Sequence, residues 1–70
     1  MLSYTEARND AGLLREYIVQ QYGYALTTFA PNRTYRAAMR MVRRLARLIN
    51  STVDAVLLDI RSDYELSDES

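Results

Sequence analysis

The chain has no cysteine, no histidine, no tryptophan and no lysine, and it carries only one proline and two glycines in its 70 residues. Without Cys and His it forms no disulfide, has no thiolate chemistry and offers none of the usual zinc ligand sets, which are the staples small domains rely on when their core is small. Those absences, with lysine also missing and the carboxylates scattered, leave no nucleophile-and-base pair and no metal cluster. The composition reads as non-catalytic, with no cofactor and no metal. An arginine-rich helical dimer holding a dianionic substrate, as in the small helical mutases, is the one enzymatic alternative, and nothing else of that pattern is visible. No apolar run approaches the ~20 residues that span a bilayer. No leader-like segment opens the chain. The expected setting is cytoplasmic, without a membrane partner.

Positive charge is present only as arginine, nine residues in all. High-GC codon usage produces that bias, and so does selection for planar, multi-donor contacts. The formal net charge of zero hides a strong segregation. Residues 1–31 hold Glu6, Asp10 and Glu16 against Arg8 and Arg15, for −1. Residues 32–47 hold Arg33, Arg36, Arg40, Arg43, Arg44 and Arg47, for +6, and residues 48–70 hold six acids against Arg61, for −5. A basic block is followed by an acidic one.

The spacing of apolar residues predicts an all-α fold. Ser3-Tyr-Thr-Glu6 fits a capping box, and Tyr4, Ala7, Ala11, Leu14, Ile18, Tyr22 and Ala25 follow at steps of three and four, one helical stripe. Gly23 reads either as a tolerated interior glycine or as a C-terminal cap. Ala30 precedes Pro31 and is pushed out of the helical region, so the helix ends there. Asn32 is a good N-cap for a second helix. From Tyr35 through Ile60 helical spacing then persists without an interior Gly or Pro, which predicts one helix over 32–61, about 45 Å long at ~1.5 Å per residue. The expected architecture is a two-helix antiparallel hairpin over residues 1–64 with an acidic, disordered tail over 65–70.

A hairpin of two helices cannot cover both of its faces, and a 70-residue domain is marginal alone. A second apolar set, Ala37, Met41, Leu48, Ala55 and Leu58, is offset from the first and widens the apolar arc. Pairing into a four-helix homodimer meets that need, with Val42, Leu45, Leu48, Ile49, Val53 and Val56 expected at the interface. The long helix is also charged against its macrodipole, basic at its start and acidic at its end. Two copies crossing antiparallel would set Arg44 or Arg47 beside Asp54 or Asp59 of the other.

Arg36, Arg40, Arg43 or Arg44, and Arg47 line one edge of the second helix, and three readings of that edge are open. It grips a protein partner, it tracks nucleic-acid phosphates, or it is solvated and contributes little. The zero net charge, the sequence pI near 6.1 and the acidic block weigh against nucleic acid. Tyr4, Tyr22 and Tyr35 lie on the apolar stripes and read as core residues with hydroxyls at the rim. Leu13, Tyr17 and Tyr24 share another face, either a widened core or a partner contact. Met41 is the surface member of the methionine pair with Met39.

The segment Asn32-Arg-Thr-Tyr-Arg-Ala-Ala38 resembles the corresponding segment of a family of small Pseudomonas-phage proteins that block quorum sensing and pilus assembly in their host. The resemblance implies a short dimeric helical hairpin that inhibits by clamping host proteins, a quorum-sensing transcription activator and the pilus-assembly ATPase. It implies that Arg33, Tyr35 and Arg36 touch the partner. The family pattern has Trp six residues beyond the Tyr, where this chain has Met41. Together the readings point to a non-catalytic, protein-binding inhibitor of phage type, contacting a host or cellular protein through Arg33, Tyr35, Arg36, Arg40, Met41 and Arg44. An arginine-helix nucleic-acid binder is the alternative.

Overall fold

A computed structural model describes residues 2–28 and 30–69, with side chains described through Glu65. Four helices follow in chain order: α1 Tyr4–Ala7, α2 Ala11–Thr27, α3 Asn32–Leu48 and α4 Val53–Glu69. Among the described residues there are no strands. The expected all-α class holds, but each of the two expected helices is divided.

Side-chain capping makes the first division. Ser3 Oγ accepts from the Glu6 N–H at 3.2 Å and starts α1 as the capping box predicts. Asp10 then accepts from the Leu13 N–H at 3.1 Å, while its carbonyl accepts from the Leu14 N–H at 2.8 Å. An Asp side chain that takes an orphan N–H in this way favours a new helix start over continuation of the old one. α2 runs on through Gly23, which is therefore an interior glycine and not a cap. The break at Ala30-Pro31 falls where expected, although Asn32 is the first helical residue of α3; Pro31 occupies the cap position, without a side-chain hydrogen bond.

The second division overturns the unbroken helix over 32–61. Asn50 adopts a left-handed φ of 55°. The Ser51 N–H donates to the Ala46 carbonyl at 2.8 Å and the Asn50 N–H to the Arg47 carbonyl at 3.3 Å, the paired bonds of a Schellman turn. Two residues later Thr52 Oγ1 accepts from the Ala55 N–H at 3.2 Å and begins α4. Asn-Ser-Thr thus ends one helix and caps the next.

Because the chain doubles back here, α4 covers surface that a two-helix hairpin would leave bare. α2 packs most extensively on α3 and next on α4, with a slimmer α3–α4 contact. The core joins Ala7 of α1, Leu14, Ile18 and Leu26 of α2, Ala38, Val42, Leu45 and Ala46 of α3, and Val56 and Ile60 of α4. Val42, Leu45 and Val56, expected at a dimer interface, are 0%, 1% and 3% exposed within the single chain. Val53 is half-buried against the same core. Of that expected interface only Leu48 and Ile49, at the α3–α4 turn, remain open to solvent.

Polar contacts lock α4 onto α2. Arg15 bonds Asp59 at 2.6 Å and also pairs with Asp63; the Asp59 hydrogen bond is the main reason its guanidinium is held more firmly protonated than usual. Arg61 Nε donates to the Leu26 carbonyl at 2.9 Å. The Tyr64 ring lies over Gly23 so closely that a β-carbon there would overlap it. The expectation of a disordered tail falls mostly on residues 66–70, whose side chains lie outside the described residues; the α4 backbone is helical through Glu69.

Candidate functional site

Eight of the nine arginines, all but the exposed Arg8, divide by what they touch. Arg15 and Arg61 tie α4 to α2. Arg44 is half-buried and reaches back to the α1–α2 turn, its Nε donating to the Arg8 carbonyl at 3.0 Å and its Nη2 to Asn9 at 3.5 Å. Arg33, Arg36, Arg40, Arg43 and Arg47 are all exposed on α3 and have no acidic partner among the described residues. At 3.6 residues per turn those five fall within about 80° of the helix circumference, opposite the buried Ala38, Val42 and Leu45. The core on one side therefore fixes the arginine row on the other. Arg33, Arg36 and Arg40 share a cleft of about 580 Å³ with Asn32 and Ala37, and Arg47 lines a smaller one of about 230 Å³ with Arg44 and Leu48.

The expected contact surface is thus brought together only in part. Tyr35 sits about 120° around the helix from the arginine row. It lines a separate cleft of about 510 Å³ at the α2–α3 corner with Leu26, Thr27, Thr28, Ala30, Asn32 and Arg61. Met41 is half-buried and packs against the core, and the Arg44 guanidinium is engaged by the α1–α2 turn. Arg43 and Arg47 belong to the surface instead, and the signal for them is in the sequence: the series 33, 36, 40, 43, 47 advances by three, four, three and four. Of the tyrosine face on α2, Tyr17 is half-buried between Tyr4 and Tyr22, with ring centroids 5.8 and 6.4 Å away in tilted geometry. Tyr24 stays 62% exposed.

Dividing the long helix also changes its electrostatics. Arg47 now lies in the last turn of α3 and Asp54 in the first turn of α4, both aligned with their own helix dipoles. Arg33 and Arg36, in the first turns of α3, still oppose theirs, at about 0.3–1 kcal/mol for each charge near the end. Like charges at i, i+3 and i+4 add roughly 0.2–0.5 kcal/mol of repulsion per pair. No acid on α3 offsets these terms.

Among the described residues no group of three His, Cys, Asp or Glu side chains lies together, and no helix is long and apolar enough to cross a membrane. Fold and surface define a small all-helical domain with one strongly basic helix face. No family model matches the chain, and no curated protein and no solved structure matches it.

Proposed function

We propose that this chain is a small protein-binding module, an inhibitor or modulator that docks the basic face of α3 onto an acidic surface of another protein. The single observation that carries the reading is the row of five exposed arginines on α3 that have no acidic partner among the described residues. A charge row that serves no contact among the described residues is accounted for by a contact outside the fold. Leu48, exposed beside Arg47, adds apolar area of the kind protein interfaces bury. The resemblance of Asn32–Ala38 to the phage inhibitors supports the same mode of action, with a host transcription regulator or pilus ATPase as the type of partner.

One observation favours a second reading: α3 carries six arginines and no acid, the footprint of a phosphate-binding helix. The acidic residues of α4 weaken the field such a helix would present to nucleic acid.

The test is affinity capture from nuclease-treated lysate with wild type and an Arg36→Gln/Arg40→Gln/Arg43→Gln variant. Prey held by wild type and lost from the variant is the expected result; identical prey from both overturns the assignment of the surface. Fluorescence anisotropy with random duplex DNA at ~50 and ~200 mM salt covers the second reading, which requires binding that falls steeply with salt.

A further inference from the structure

The steps of the arginine row, three, four, three and four, are those that keep a line of side chains straight along a helix and in register with another helix laid beside it. Arg33 to Arg47 covers about 21 Å of axis at 1.5 Å per residue, an arginine every ~5 Å. Carboxylates at the same steps on a second helix rise at the same rate, and a shallow left-handed crossing of the two helices follows the drift of about 20° per heptad, so each guanidinium can meet one carboxylate. A second observation concerns the edge of the row. Ala37 and Leu48 flank it on one side of α3, Ala37 half-buried and Leu48 44% exposed; between them Met41 packs on the core and Arg44 reaches back to the α1–α2 turn. A phosphate backbone gains nothing from an apolar rail, whereas the apolar edge of an amphipathic helix is buried by it.

We propose that the occupant of this face is an acidic amphipathic α-helix of the partner protein, about four turns long. Its carboxylates stand over Arg33, Arg36, Arg40, Arg43 and Arg47, and its apolar side chains lie over Ala37 and Leu48. The Schellman turn after Leu48 sets the length, since the row ends where α3 ends. This rests on the reading that the basic face of α3 docks a protein, and it adds the secondary structure and side-chain pattern of what docks there.

The probe is a labelled synthetic peptide of about twenty residues, Glu-rich at three-and-four steps with Leu on the adjoining edge. A second peptide of identical composition carries two central D-amino acids that block helix formation. Anisotropy titrations at ~50 mM salt are run on the full chain, with an equally charged DNA duplex in parallel. The expected result is binding of the helical peptide about tenfold or more tighter than of the blocked one. Leu48→Ser should weaken it about threefold or more without changing DNA binding, and Arg36→Gln/Arg40→Gln should abolish it. Equal binding of both peptides overturns this inference and leaves the acidic-protein reading standing. Tighter binding to DNA than to either peptide, or no binding to either, overturns both. Concentration-dependent self-association that Arg36→Gln/Arg40→Gln removes also overturns the inference, because the occupant is then the acidic α4 of a second copy.

Discussion

The Tyr64 ring of α4 fills the space that a side chain at Gly23 of α2 would need. Gly23 is buried in the middle of a helix, where alanine would ordinarily be better by about 1 kcal/mol. Close approach of α4 reverses that preference. Gly23→Ala is expected to destabilise by about 1–3 kcal/mol, the range for overpacking. Urea denaturation checks the sign, and a cycle with Tyr64→Ala checks the cause: the smaller partner should recover most of the loss. A stabilised Gly23→Ala protein would contradict the packing of α4 on α2.

Asn50 decides whether residues 32–61 form one helix or two. Its left-handed conformation suits glycine better than any β-branched residue. Asn50→Gly should leave the melting temperature unchanged or raise it, and Asn50→Val should cost about 1–2 kcal/mol. Thr52→Ala, which removes the cap of α4, should cost about 1 kcal/mol. A straight helix would gain from Asn50→Val or be indifferent to it, so the sign separates the two architectures.

Ile60 and Leu58 are two residues apart on α4, one fully buried and the other 69% exposed. Truncation to alanine should cost about 2–5 kcal/mol at Ile60 and under ~0.5 kcal/mol at Leu58. Chemical denaturation of the two variants at low protein concentration measures this directly.

Arg33 opposes the α3 dipole and lies near Arg36 on the same face. Arg33→Glu should therefore raise stability, by about 0.5–1.5 kcal/mol, while weakening capture of the acidic partner. Thermal melts and binding read the two effects separately. Loss of stability together with loss of binding would mean that Arg33 holds the fold and that its charge is compensated within it.

What the sequence made legible follows from how local each signal is. Ser3 with Glu6, and Ala30 with Pro31, act within a single turn, and both set boundaries where expected. The break at Asn50 escaped a count of apolar spacing because Leu45, Ile49, Val53 and Val56 keep steps of three and four straight through it. Both α3 and α4 turn an apolar face toward α2, so their stripes stay in phase across the turn. The better signal was the cluster Asn50-Ser51-Thr52, three turn-forming residues in succession. Reading those three positions as uninterrupted helix produced the surplus apolar surface, and with it the expected burial of Val42, Leu45 and Val56 between two copies. For the candidate surface, the arginine row was visible as spacing. That Tyr35 faces a different cleft follows from its angle around α3, and that Arg44 reaches Arg8 and Asn9 depends on a tertiary contact no spacing reveals.

α2 makes its broadest contact with α3, the element next to it in the chain. Contacts that join neighbouring segments close with little loss of loop entropy, and helical domains organised this way fold on the order of microseconds to milliseconds. The seating of α4 on α2 passes over an intervening helix, a longer loop to close than that between α2 and α3. The arginine row belongs to α3 and most of the acids that balance it to α4, so a nascent polypeptide emerging residue by residue exposes its cationic segment before the residues that offset that charge.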